Sequence, residues 1–397
     1  MQLETDRLIA ACGDDSFESG ILMEAELEPL AGAGAPVKPA VYAGARYQLD
    51  ERWVGEGADR AVAKVVVIDN VPSQANRLEA ALESLLGRVR LPGVTLDLSQ
   101  IGSLPPHLPT RLSGLRFPHR SADAYLRDSE LDGVAFDRTQ VGAAILAGTA
   151  DSPLALFEWF PQALLFGFWQ SHLGKKRSQA KLARSWVSEI VGIRPGSVET
   201  RTLGVKGDPL NLSGDEKVVY QPEDLLEGWE LAQGVKKSGG SKKQESLSEI
   251  GHGQVPFRTG QEAPAGISCQ TVMQRATVSF AGLRRVWCGS PEANATGRAL
   301  LASLGLLAHV SAFGRSFSLR SGCELRPVRV SWTWLGSDSD DALELMDQDS
   351  AVQIFNSCVA AAEDAGLPVG TRWSDPMTLT PNKELVKVIR STWPVGG

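Results

Sequence analysis

Residues 62–86, VAKVVVIDNVPSQANRLEAALESLL, turn from a β-branched run into a helical repeat within a few residues. Val62 to Ile68 suits a strand buried on both faces, because stiff, branched side chains fit a pleated surface. Asp69, Asn70, Pro72 and Ser73 then supply the residues that end a strand and open a helix. Leu78, Leu82, Leu85 and Leu86 recur at helical spacing, so the stretch predicts strand, tight turn and amphipathic helix over 73–86.

Working outward, Ile21, Met23, Ala25 and Leu27 alternate with Leu22, Glu24, Glu26 and Glu28, a period of two that predicts a half-buried strand. Thr271 to Ser279 reads as another strand, Arg298 to Phe313 as an apolar helix, and Val328, Val330, Trp332 and Trp334 alternate with Arg329, Ser331 and Thr333. That alternation points both indoles to one face, which favours a core position over a base-stacking one. Asp341 to Ala365 reads as a helix, and Leu91 to Leu115 as irregular. The order strand, helix, long insertion, strand, helix, strand is compatible with a split βαβ core of the ferredoxin or RRM type. The expected class is α+β, with a discontinuous core from 1–90 and 265–370, an inserted region at 91–264 and a tail at 371–397.

The chain has 397 residues, 43% hydrophobic and 22% charged, as expected of an ordinary globular protein. Its net charge of −7 argues against binding nucleic acid over the whole surface, but leaves room for a local basic groove. Five scattered cysteines without a CxxC fit a reducing, cytoplasmic setting. The acidic N-terminus does not resemble a signal peptide, and the longest apolar run expected from pattern, Phe157 to Trp169, is too short to span a bilayer.

Several chemistries fail on spacing. Gly167 to Lys175 has six residues between its glycines and no Ser or Thr after the Lys, so it is not a phosphate-binding P-loop. Gly32 to Val37 lacks the third glycine of a dinucleotide fingerprint. The five histidines stand apart from Cys and acid at ligand spacing, so no metal is expected, no cofactor is called for, and no GxSxG nucleophile appears.

Cations and amides remain. Phe157, Trp159, Phe160, Leu164, Leu165, Phe166, Phe168 and Trp169 call for burial, each gaining roughly 1.5–3 kcal/mol. Directly after them Lys175, Lys176, Arg177, Lys181 and Arg184 follow with no acid between His172 and Arg184. A solvated loop explains such a run; so does a row of phosphate contacts. Gln74, Asn76 and Arg77 fall in the first turn of the predicted helix, where backbone donors favour an anion. His119, Arg120 and Arg127, then Arg284 and Arg285, are further cationic segments, and 235–244 is a flexible, lysine-rich loop. Brought onto one sheet face, these would form a trough for single-stranded RNA.

Four blocks resemble one family. They are Val67 to Glu79; Leu115 to Ser129; Leu165-Phe166-Gly167-Phe168-Trp169-Gln170-Ser171 with Gly174-Lys175, Arg184 and Ser188-Glu189-Ile190-Val191-Gly192; and Ser246 to Pro256, with His252 between two glycines. Together they are similar to the RAMP-superfamily backbone subunit of type I-G (formerly I-U) CRISPR Cascade complexes. Gln170 stands where that family usually has an Asp, and Lys175-Lys176-Arg177 where a Gly-rich turn precedes the Lys. The resemblance implies an RRM/ferredoxin-like palm from 1–90 and 265–370 with inserted helical and thumb-like segments at 91–264, in a non-catalytic subunit that coats a CRISPR guide RNA and polymerises with further copies of itself; the acidic block from Asp338 to Asp349, set against the basic face of the next copy, would make that assembly head to tail. It also implies target DNA reached through the guide, a large subunit and a guide-end-capping subunit as partners, and no membrane. The candidate RNA contacts, from the cationic and amide-bearing segments and the resemblance together, are Gln74, Asn76, Arg77, His119, Arg120, Arg127, Lys175, Lys176, Arg177, Lys181, Arg184, His252, Arg284 and Arg285. Because relatives in the same superfamily cut guide precursors, an endoribonuclease using His119, His252 or Asp69 is the alternative. A small-molecule enzyme with an incidental basic surface is the third reading.

Overall fold

A computed structural model describes residues 2–392 except 44–45, 56, 103, 105–106, 171–179, 198–199, 203–208, 211, 213–214, 221–227, 233–242, 253–261 and 265. The fold is α+β. Its principal sheet contains β1 (Gly20–Pro29), β2 (Leu49–Val54), β3 (Ala61–Asp69), β4 (Trp186–Pro195), β5 (Cys269–Ser279), β6 (Phe317–Arg320), β7 (Cys323–Leu335) and β8 (Asp340–Leu343). The strands lie in the order β6-β7-β1-β5-β4-β3-β2, with β8 also on β7, and every pair is antiparallel.

The helices that cover one face are α1 (Val71–Ser84), α2 (Pro161–Phe166), α3 (Pro291–Phe313) and α4 (Gln348–Asp364). β5, α3 and β7 form a β–α–β unit whose strands are parallel to each other with β1 held between them. β1 and β4 are likewise parallel across β5, and α1 lies on the path between them. The two units are therefore interleaved, with β3 and β2 added beyond β4.

Alternation places Ile21, Met23, Ala25 and Leu27 in the core, as the pattern predicted. The predicted strand and helix are also present, with α1 starting two residues earlier than expected. Asn70 caps it by accepting from the Ser73 amide at 3.1 Å, while the Ser73 hydroxyl turns to Asp69 instead. Trp332 and Trp334 are core residues. By length and composition α3 is apolar enough to cross a membrane, but 83% of that stretch is buried in the protein. It is the central core helix, against which α1, α2 and α4 all pack.

Four expectations differ from the structure. The insertion at 91–264 is cut by β4, a central strand whose buried Trp186, Ser188 and Ile190 alternate on the helix-covered face. Within the expected tail at 371–397, Met377–Pro381 joins a second sheet between Val94–Asp97 and Ser129–Leu131, so the described part of that segment is tied to the rest of the fold. Val94–Asp97 and Arg111–Ser113 also make 91–115 partly regular. The acidic C-terminal segment is β8 followed by α4, since Asp347 caps the helix at the Ser350 amide, 2.8 Å away, and so fixes its start. One hydrophobic cluster runs from Leu3 to Leu379 and joins both sheets.

The sheet face opposite the helices carries matched charges. Glu24 pairs with Arg275 at 2.7 Å, Glu26 with Arg329, Glu28 with Arg326 at 2.6 Å, and Glu189 with Arg52. It is not a basic platform.

Two core sites yield predictions. A Cβ on Gly305 would lie 2.4 Å from Cε3 of the buried Trp186 ring, so Gly305→Ala should lower stability by about 1–3 kcal/mol in thermal unfolding. His309, buried among the rings of Trp186, Phe313 and Trp332, has its pKa lowered by desolvation to about 4 from 6.5. Its unfolded form binds the proton first as the solution is acidified. Stability should therefore fall between pH 6.5 and 4, by up to about 3 kcal/mol, and His309→Phe should flatten that limb of the pH–stability curve.

Candidate nucleic-acid interface

α2 ends at Gly167, whose φ of 77° belongs to glycine and whose hypothetical Cβ would sit 2.6 Å from the Leu182 carbonyl oxygen. The chain leaves that turn as Phe168–Trp169 and returns as Lys181–Leu182, a two-residue antiparallel ladder extended by the Gln170 amide donating to the Ala180 carbonyl at 2.8 Å. Neighbouring strand residues face opposite ways, so Phe168 and Leu182 enter the core while Trp169 and Lys181 stand outside as a directly opposed pair. Trp169 is 58% exposed, and the Lys181 ammonium lies 6.0 Å from its ring centroid.

Beneath the hairpin, Arg120 and Glu79 form a buried bidentate pair with both contacts at 2.8 Å. A further nitrogen of Arg120 donates to the Gly167 carbonyl at 3.1 Å, and its guanidinium lies 5.6 Å from the Phe166 ring centroid. The φ of Arg120, 56°, is left-handed, a strained conformation kept by these contacts. Burial pushes the Glu79 carboxyl up, and the charges of Arg120 and Arg184 oppose that shift. Arg184 is exposed and has no hydrogen-bond or ion-pair partner among the described residues. Partial burial, then repulsion from Arg120, pulls its pKa down. Arg285 joins the group by donating to the Ala183 carbonyl at 3.2 Å.

Lys181, Arg184 and Arg285 thus gather around an Arg120–Glu79 anchor. Lys175, Lys176 and Arg177 lie outside the described residues, in the segment between the two arms of the hairpin.

The other expected contacts do not join one trough. Gln74 is fully buried; its amide donates to Asp69 at 2.6 Å and its carbonyl accepts from Ser188 and Gln274, both at 2.9 Å. Arg77 is drawn to the same Asp69 and to the Leu319 carbonyl, and Arg320 reaches Asp69 from β6 at 2.8 Å. The carboxylate at the end of β3 therefore consumes the amide and the guanidinium that sequence reading offered to an anion. Asn76 is exposed on the adjacent turn. Arg284 donates to the carbonyls of Ala11, Gly13 and Glu18, tying the N-terminal segment to the core. Arg127 pairs with its neighbour Asp128 at 2.6 Å. His119 is exposed beside Arg120, with its backbone amide held by Asp123. His252 sits in the inserted region, its ring 5.7 Å from that of Trp229. Among the described residues, no group of three or more His, Cys, Asp or Glu is placed to hold a metal ion.

Residues 21–195 match the family described as CRISPR-associated protein GSU0053. That segment, somewhat under half of the chain, holds the hairpin and its anchor, and it is similar to this CRISPR-associated family. A search of curated proteins returned no match.

Arg120→Ala leaves a buried carboxylate without its partner and should cost about 3–5 kcal/mol in denaturant unfolding. Lys181→Gln, on an exposed side chain, should stay within about 0.5 kcal/mol of the wild type.

Proposed function

We propose that this chain is a non-catalytic CRISPR guide-RNA-binding subunit that polymerises along the guide as the backbone of a Cascade-type effector complex. The observation that carries the reading is the set of exposed cations at one hairpin. Lys181, Arg184 and Arg285 share a neighbourhood in which the nearby acid, Glu79, is already committed to Arg120. Charges held in place on a rigid base suit the evenly spaced phosphates of a single strand. The three cations of 175–177 extend from the same base in sequence.

The interleaved order β7-β1-β5-β4 with α1 and α3 on one face supports an RRM/ferredoxin-like palm. The RNA path then follows the hairpin side of the molecule, since the open sheet face is occupied by acid–arginine pairs. Asp69, a candidate acid in a nuclease reading, has both oxygens filled by Ser73, Gln74, Arg77 and Arg320, which favours a structural role for it. The partners of this reading are the guide, target DNA paired to it, further copies of the chain joined head to tail, a large subunit and a subunit that caps a guide end. The compartment is the cytoplasm.

The test is expression with the guide array and companion proteins. RNA of uniform length should survive purification with the chain. A nucleic-acid-free monomer would refute the reading. Five phosphate contacts from 175–184 should give a slope of log affinity on log salt of roughly −3.5, and Lys181→Gln with Arg184→Gln should reduce it by about 1.4.

A further inference from the structure

We infer that Trp169 is a stacking seat for a single unpaired nucleobase, with Lys181 and Arg184 holding the phosphates on either side of it. The inference rests on the guide-RNA reading and specifies how the strand is gripped.

Its first support is position. Phe168 and Gln170, on either side of Trp169 in sequence, are 8% and 5% exposed, and Leu182 opposite is 6% exposed, while Trp169 itself is 58% exposed. The indole is thus held out from an ordered strand whose neighbours all point inward. An exposed indole forgoes a burial gain of roughly 1.5–3 kcal/mol, which a ligand with a flat apolar face would restore.

The second support is the company it keeps. Lys181, 6.0 Å from the ring centroid, places a cation beside the aromatic surface, and Arg184 follows with no ion-pair partner among the described residues. An aromatic plane flanked by cations matches a nucleotide, whose base offers a π-face and whose neighbouring groups are anionic. Trp53 gives a contrast. It is as exposed, at 61%, and has the Arg60 guanidinium 5.7 Å from its ring centroid, but it lies on the edge strand β2, outside the hairpin that carries Lys181 and leads to Arg184, so it tests position rather than the mere pairing of a ring with a cation.

The third support is stiffness. The ladder of Phe168 with Leu182, the Gln170–Ala180 hydrogen bond and the Arg120 contact to Gly167 fix the backbone on both sides of the indole. A preorganised ring loses little freedom when a base arrives.

The experiment uses the full chain and single-stranded RNA of guide length carrying 2-aminopurine at successive positions. Trp169→Ala should weaken binding by about ten- to a hundredfold at every salt concentration while leaving the salt slope unchanged. Trp169→Phe should recover most of the affinity, and Trp53→Ala should bind as the wild type does. At one register the 2-aminopurine emission should be quenched by the wild type and restored by Trp169→Ala. If Trp169→Ala folds and binds RNA with unchanged affinity while Lys181→Gln and Arg184→Gln flatten the salt slope, the seat is refuted and the guide-RNA reading stands. Loss of assembly without loss of RNA affinity would assign the indole to a protein contact and equally refute the seat. If the wild type binds no RNA, both readings fall.

Discussion

The bidentate contact between Arg120 and Glu79 is the constraint from which the candidate interface takes its shape. Stripping water from two full charges costs several kcal/mol per ion, so such a pair persists only with good geometry and further hydrogen bonds. Here the fork is complete, and the remaining donor of Arg120 reaches the Gly167 carbonyl. Three separate parts of the chain meet at that point: α1 through Glu79, the short turn at Arg120–Ala122, and the exit of α2 into the hairpin. A shift in any of them would strand a buried charge. The base of the hairpin is thereby located relative to the sheet.

Charge placement explains how an acidic protein offers a cationic surface. The arginines of β5 and β7 are matched by the glutamates of β1, and those around Asp69 by its carboxylate. Arg298, almost wholly buried, is bound by Asp14 and three carbonyls. Lys181, Arg184 and Arg285, near the hairpin, have no ion-pair partner among the described residues. The average of −7 describes the whole surface and hides this local sign.

Where periodicity was strong, the sequence carried the structure: β1, β3, α1, α3 and the tryptophan side of β7 all follow from spacing and burial. β4 was not read as a sheet strand because Ser188-Glu189-Ile190-Val191-Gly192 has buried residues on both faces near its end, which blurs a period of two. The second sheet was hidden since its strands are short and Met377–Pro381 lies some 280 residues after its neighbour Val94–Asp97, a pairing that local pattern cannot encode. At the candidate site, charge alone singles out Lys181, Arg184 and Arg285 in the sequence. The Asp69 contacts of Gln74 and Arg77 are not legible in the sequence, because that buried acid is five and eight residues away and only the fold closes the distance. Trp169 was placed in the core by its hydrophobicity. The signal for the contrary was available: two large rings adjacent in a strand cannot both face inward.

β1 is made well before either of its neighbours in the sheet, since β5 and β7 are translated about 250 and 300 residues later. On the ribosome it must wait with both edges unpaired, the state in which strands of different chains join and aggregate. Glu24, Glu26 and Glu28 keep like charges along one side of that waiting strand and would repel an identical copy laid beside it in register. The arginines that neutralise them arrive on the strands that complete the sheet, so the guard is released by the same event that makes it unnecessary.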